Sequence, residues 1–81
     1  MTTVEIEYCV PCGFLDRAET VQHALLSELG DDLDAVALVT GDHGVFRVNV
    51  GDEVVYDKDE DGDYDADELV ETVADRVGAT A

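Results

Sequence analysis

Positive charge is nearly absent from this chain. Four Lys and Arg stand against 21 Asp and Glu, a net charge of −17 over 81 residues. Such a chain repels phosphate backbones and anionic headgroups, which excludes nucleic acid and acidic membranes as direct partners. Tryptophan is missing, and Pro11 is the one proline. No apolar run approaches the ~18 residues of a membrane span. The opening Met1-Thr2-Thr3-Val4-Glu5 has neither the basic nor the apolar region of a signal peptide, so a cytoplasmic location is expected. There is no Gly-rich phosphate loop. Gly41, Gly44 and Gly51 read as turn residues, and no organic cofactor is implied. Two cysteines in so small a cytoplasmic chain are not a disulfide framework.

What is present is enough to fold: 46% of the residues are apolar. At 81 residues and 8.7 kDa the chain is read as one domain, 1–81. A domain of this size buries only about 60% of the surface its unfolded chain exposes, so its core is thin. Self-repulsion at −17 destabilises such a core at low ionic strength. At ~1 M salt the Debye length falls to ~3 Å and the repulsion is screened. The acids run along the whole chain, as on a solvated surface. A host with a salty cytoplasm is the expectation, and the apolar periodicity argues against an acidic disordered chain.

Thr3 to Tyr8 alternates Val4, Ile6 and Tyr8 against Thr3, Glu5 and Glu7, a strand with one buried face. Phe14, Ala18, Val21, Leu25 and Leu29 recur at helical spacing. With Pro11 suited to a first turn and Gly30 to a stop, a helix is predicted from about Cys12 to Leu29. Ala35-Val36-Ala37-Leu38-Val39 is continuously apolar, the pattern of a strand buried on both faces. A turn follows at Thr40–Gly44. Val45–Val50 turns Phe46, Val48 and Val50 to one side, and Gly51-Asp52 is a hairpin signal before a last strand, Glu53–Tyr56. After an acidic loop at residues 57–65, Asp65 and Glu68 have capping-box spacing. Ala66, Leu69, Val70, Val73, Ala74 and Val77 form a second helical stripe, stopped by Gly78 before a fraying Ala79-Thr80-Ala81 tail. The class is α/β in the order β-α-β-β-β-α, two helices on a four-stranded mixed sheet. Its first crossover is parallel and right-handed, and its later strands are antiparallel.

Cys9-Val10-Pro11-Cys12 falls between the first strand and the first helix. A C-x-x-C pair in that position is a redox arrangement. Unpaired N–H groups at a helix start stabilise a thiolate, and two intervening residues let one thiol resolve a mixed disulfide made by the other. Bridging the pair closes a very short loop, which stabilises least, so a structural staple explains it poorly. Glu5, Glu7 and Asp16 lie near in sequence and push thiol pKa values up, while Arg17 opposes them. At the strand end Cys9 is expected to be the more exposed sulfur and the attacker, with Cys12 closer to the helix terminus. Two other readings stand beside this one. The cysteines are small buried hydrophobes, or they form half a zinc site completed by His23 and His43, whose spacing does not match a zinc finger.

Glu5-Ile6-Glu7-Tyr8-Cys9-Val10-Pro11-Cys12, followed by Arg17-Ala18, resembles the N-terminal signature of the Rdx family. That family groups selenoproteins W, T and H with their prokaryotic cysteine homologues. Gly44-Val45-Phe46-Arg47-Val48, Gly51 and Val55-Tyr56-Asp57-Lys58 extend the resemblance over nearly the whole chain. It implies a thioredoxin-like two-layer sandwich and thiol–disulfide exchange by Cys9 and Cys12 with a protein or a low-molecular-weight thiol as redox partner. It also places Cys12 where the selenoproteins carry selenocysteine. The chain departs from the family at Gly62-Asp63-Tyr64-Asp65, where Gly-Phe-Pro is common. With Pro11 the lone proline, it has no cis-proline to face the cysteines in the thioredoxin manner.

One further pattern points elsewhere. Asp57-x-Asp59-x-Asp61-Gly62-x5-Glu68 fits an EF-hand loop, with Asp63 at the seventh position. The residues before it read as a strand rather than a helix, position eight is Tyr64, and no sister loop exists. In an acid-rich chain the expectation is a solvated loop. The alternative is a single weak Ca²⁺ or Mg²⁺ site on Asp57, Asp59, Asp61, Asp63 and Glu68. The rival to redox chemistry is therefore a non-enzymatic protein that binds a partner or a cation.

Overall fold

A computed structural model describes residues 2–62 and 65–77 of the chain. The expected Gly78 stop, the 79–81 tail, and Asp63 and Tyr64 lie outside those residues. The elements in chain order are β1 (Thr3–Cys9), α1 (Leu15–Leu29), a 3-10 turn at Gly30–Asp32, β2 (Ala35–Gly41), β3 (Phe46–Val50) and β4 (Glu53–Asp57). A single helical turn, α2 (Lys58–Asp61), and a longer helix, α3 (Ala66–Val77), complete them. Part of the expected acidic loop is thus helical. Asp57 accepts from the Asp59 N–H and caps that turn. Asp65 precedes α3 and accepts from the Asp67 N–H at 2.9 Å, one residue short of the Glu68 N–H that a capping box would use.

The sheet order is β2-β1-β3-β4. β1 runs parallel to β2, from Thr3 opposite Ala35 to Cys9 opposite Gly41. It runs antiparallel to β3, and β3 antiparallel to β4. Val4, Ile6, Tyr8, Val36, Phe46, Val48 and Tyr56 face the helices and form one core with Ala18, Val21, Leu25, Leu29, Leu69 and Val73. The predicted stripes of both helices are the buried ones.

Two expectations are corrected here. β2 is not buried on both faces. It is an edge strand, α1 and α3 pack against each other on one side of the sheet, and Val39 remains 36% exposed on the other. Two helices cannot cover both faces, so the apolar run has one wet side. Secondly, α1 starts at Leu15, not Cys12. Val10–Gly13 is a tight turn closed by the Gly13 N–H donating to the Val10 carbonyl at 3.1 Å. Gly13 sits at φ 76°, a left-handed conformation through which a right-handed helix does not pass.

Phe46 is the largest fully buried side chain. It meets Phe14 edge-on at 6.2 Å and Tyr56 at 6.4 Å between ring centroids. Phe46→Ala is expected to cost about 3–5 kcal/mol, a large share of the ~5–15 kcal/mol that a domain has. Val39→Thr, on the open face, is expected to stay within ~0.5 kcal/mol. Urea unfolding of the two variants checks the contrast.

Candidate functional site: the end of β1

The strand order builds the site. β2 and β3 flank β1, yet only Asp42–Val45 connects them. That short connection has to pass over the C-terminal end of β1, where Cys9 stands. It does so as a tight strap, with the Val45 N–H donating to the Asp42 carbonyl at 3.3 Å. His43 at φ 59° and Gly44 at φ 77° turn the chain through left-handed backbone. The strap is stitched to β1 by the Cys9 N–H donating to the Val45 carbonyl at 2.8 Å. The Val10 N–H donates to the Gly41 carbonyl at 3.1 Å.

Cys9 is consequently only 1% exposed. Cys12, on the Val10–Gly13 turn, is exposed. This reverses the expectation that the strand-end sulfur is the accessible one. The two cysteines are joined as a disulfide, with Cα atoms 5.3 Å apart, inside the range a disulfide spans. Both cysteines of the motif are therefore brought together. They pair with each other, as neither the packed-hydrophobe nor the zinc reading requires.

The helix terminus plays a smaller part than the motif suggests. Cys12 lies two residues before the α1 cap, Phe14, rather than in the first turn. The nearest backbone donors are already engaged: the Gly13 N–H with Val10, and the Phe14 N–H with the Cys9 carbonyl at 3.3 Å. Two side-chain cations lie against the neighbouring Phe14 ring. The Arg17 guanidinium lies 5.1 Å from the Phe14 ring centroid and the Lys58 ammonium 5.7 Å from it. Arg47 bridges the open face of the sheet, 3.3 Å from Glu7 on β1 and 3.3 Å from Asp57 on β4. Three of the four cations in the chain thus gather at this end of the sheet. Phe14 and Lys58 escaped the functional reading of the sequence, because their meeting depends on β4 delivering α2 beside Phe14.

The other candidate residues are dispersed. His23 is exposed on α1, and His43 on the strap pairs with Asp42 at 2.6 Å. Asp57 is held by Arg47 and by the Asp59 N–H, and Asp61 accepts from the Asp57 N–H at 3.0 Å. Residues 58–61 of this acidic segment form a single helical turn. Asp61 and Glu68 do line a shared cleft of about 220 Å³ with Asp65 and Tyr56. Among the described residues no group of three His, Cys, Asp or Glu side chains is placed to share a metal ion, and Asp63 lies outside them.

A mixed sheet covered on one face, with a cysteine pair at the end of its first strand, defines a small α/β protein of thioredoxin-like architecture. The Rdx family model matches residues 3–75, and the chain belongs to that family. A Bordetella parapertussis protein of known crystal structure is 38% identical and superposes with a TM-score of 0.89, over 93% of this chain and 96% of that one. A selenoprotein W-related protein from Vibrio cholerae, 23% identical, has the same fold, with a TM-score of 0.89 over 94% and 96% of the two chains. No curated protein matches. Among the described residues no helix is long and apolar enough to cross a membrane.

Proposed function

We propose that this chain carries out thiol–disulfide exchange, with Cys12 as the sulfur that meets the partner and Cys9 as the sulfur that resolves. The observation that carries this reading is the asymmetry of a joined pair, one sulfur under the strap and the other on an exposed turn. An incoming disulfide reaches Cys12 first. The mixed disulfide then lies next to a second thiol whose separation is already that of a bond. Arg17 and Lys58 near the turn favour thiolate character at Cys12 against the general negative field. The partner is a protein or a low-molecular-weight thiol or disulfide, and the working medium is a salt-rich cytoplasm.

Equilibration against glutathione or dithiothreitol in high salt, with free thiols trapped and counted, tests the reading. The Cys9–Cys12 couple is expected at roughly −180 to −300 mV, the span of exchange-competent dithiols. A pair that forms no intramolecular disulfide at any poise sinks it.

A further inference from the structure

We propose that the outer edge of β2 is a docking strand for an extended segment of a client protein, uncharged in its core and flanked by Lys or Arg. Its part in delivering a client disulfide rests on the exchange reading above. In a parallel pair, alternate residues of a strand bond to one neighbour, and the residues between them point the other way. The Val10 N–H donates to the Gly41 carbonyl at 3.1 Å, so Gly41, and with it Val39 and Ala37, bonds inward to β1. Val36, Leu38 and Thr40 therefore point their N–H and C=O groups out of the sheet, where no fifth strand stands. Gln22 of α1 donates from Nε2 to the Val36 carbonyl at 2.7 Å, which agrees with that direction and closes the edge at this residue. Among the described residues, Leu38 and Thr40 have no such cover.

The opposite edge is protected and this one is not. β4 has five residues, carries Glu53 and Asp57 at its ends, and meets β3 through a register shift at Val48/Asn49. Arg76 of α3 pairs with its Glu53 at 3.1 Å. β2 has seven residues in unbroken register, and none of them is charged in a chain that holds 21 acids. A long, regular, uncharged edge is a template for another strand.

Charge selects the occupant. Asp34 and Asp42 stand exposed immediately beyond the two ends of β2. Glu19 is exposed on the same side of α1 as Gln22, one turn nearer the cysteine end. Basic flanks on an added strand meet these acids, and pairs at contact distance survive a Debye length of ~3 Å. A second copy of this chain would bring its own Asp34 and Asp42 and another −17. The position also suits exchange. β2 pairs with β1 up to Gly41, opposite Cys9. An added strand lies two spacings of ~4.8 Å from β1, which about three extended residues cross at ~3.3 Å each. A client cysteine a few residues beyond the segment paired with Leu38 and Thr40 thus reaches the cysteine turn. There the Cys12 thiolate attacks the client disulfide, the bond from Cys12 to one client sulfur forms, and the other client sulfur leaves as a thiolate and takes up a proton. Cys9 then loses its proton and displaces the first sulfur. The dithiol ends oxidised by two electrons and the client disulfide ends as two thiols.

Amide hydrogen exchange of the oxidised full chain in ~1 M salt tests the docking. The probe is a cysteine-free peptide that alternates Val and Thr between two pairs of Lys. At saturation it is expected to slow the Leu38 and Thr40 N–H groups at least ~10-fold, and to leave Ala37 and Val39, already bonded to β1, unchanged. The same core between two pairs of Glu should bind at least ~10-fold more weakly. Thr40→Pro removes an outward N–H that the ladder to β1 does not use, and should weaken the Lys peptide at least ~10-fold. Should that variant not fold, the native exchange pattern decides alone. No protection at Leu38 and Thr40, or equal binding of the Glu peptide, overturns the proposal. Protection at both in the free chain that is lost on dilution gives the edge to a second copy and overturns it too. Two longer peptides test delivery. Each has the same Lys-flanked core and one cysteine, as its thiopyridyl disulfide, at one end or the other. With the reduced chain, one of the two is expected to release pyridinethione at least ~10-fold faster, because docking fixes a direction and charge attraction alone does not. Equal rates overturn the delivery role. No release from either peptide, or from free dithiodipyridine, overturns the exchange reading instead, and the amide pattern still decides the docking.

Discussion

Cys12→Ser is expected to lose nearly all reaction with an external disulfide, whereas Cys9→Ser is expected to react and then stop at the mixed disulfide. The reason is access. In Cys12→Ser the one remaining thiol is Cys9, which in the native disulfide is 1% exposed and tied by its N–H to the Asp42–Val45 strap. It reacts only when the strap opens. A local opening that costs ~3 kcal/mol lowers the rate ~100-fold, since each 1.4 kcal/mol is a factor of ten. In Cys9→Ser the exposed turn sulfur is untouched, but no thiol remains to expel the partner. Intact-mass spectrometry after exposure to an excess of neutral disulfide reads both results directly, as adduct on Cys9→Ser and little on Cys12→Ser. The reverse pattern would return the attacking role to the strand-end cysteine and would show that the strap does not shield it in solution.

Withdrawal of salt is expected to unfold the protein or bring it close to unfolding. The folded molecule is 21 Å across its two shorter axes and carries a net charge of −17. Between 0.1 M and 0.01 M ionic strength the Debye length is ~10–30 Å, so each uncompensated carboxylate feels most of the others. Above 1 M it is under ~3 Å, and only immediate neighbours interact. Among the described residues few Arg or Lys ion pairs offset the repulsion: Arg47 with Glu7 and Asp57, and Arg76 with Glu53 at 3.1 Å, all partly exposed. An unfavourable change of several kcal/mol is of the order of a small domain's entire stability, and each 1 kcal/mol moves the melting temperature by ~4–8 °C. Far-UV circular dichroism during melts from ~3 M to ~0.05 M salt is expected to show a fall of 20 °C or more by these magnitudes. A melting temperature that does not respond to salt would remove the salt-rich setting from the proposed function.

Much of this molecule is local in origin, and that part is legible along the chain. The alternation of Val4, Ile6 and Tyr8 marks β1, because a strand's period of two is set by its backbone. The spacing of Ala18, Val21, Leu25 and Leu29 marks the buried stripe of α1, and that of Leu69 and Val73 the stripe of α3. The four strands, the antiparallel ending and the thiol pair belong to the same layer of information. So does the excess of acid, which needs no fold to be counted.

What the chain did not disclose are the properties set by which strands become neighbours. Ala35–Val39 reads as doubly buried because its composition is apolar on both sides, yet burial depends on how many helices the fold can lay over it, and both lie on one face. The helix starts later than the spacing predicts because Gly13 adopts a left-handed conformation that composition alone does not require. The exposure of the two sulfurs is the inverse of what the local sequence predicts, for the same kind of reason. Only when β2 and β3 settle on opposite sides of β1 must the Asp42–Val45 strap cross the strand end and cover Cys9. The crowding of Val45 and Glu7 side chains over Gly41 likewise depends on the register that sets Gly41 beside Cys9, a pairing of residues 32 apart in the chain. Local sequence can specify a residue's chemistry and the period of its neighbours. Access and coverage come from contacts between distant segments, whose free energy is gained only when the sheet closes.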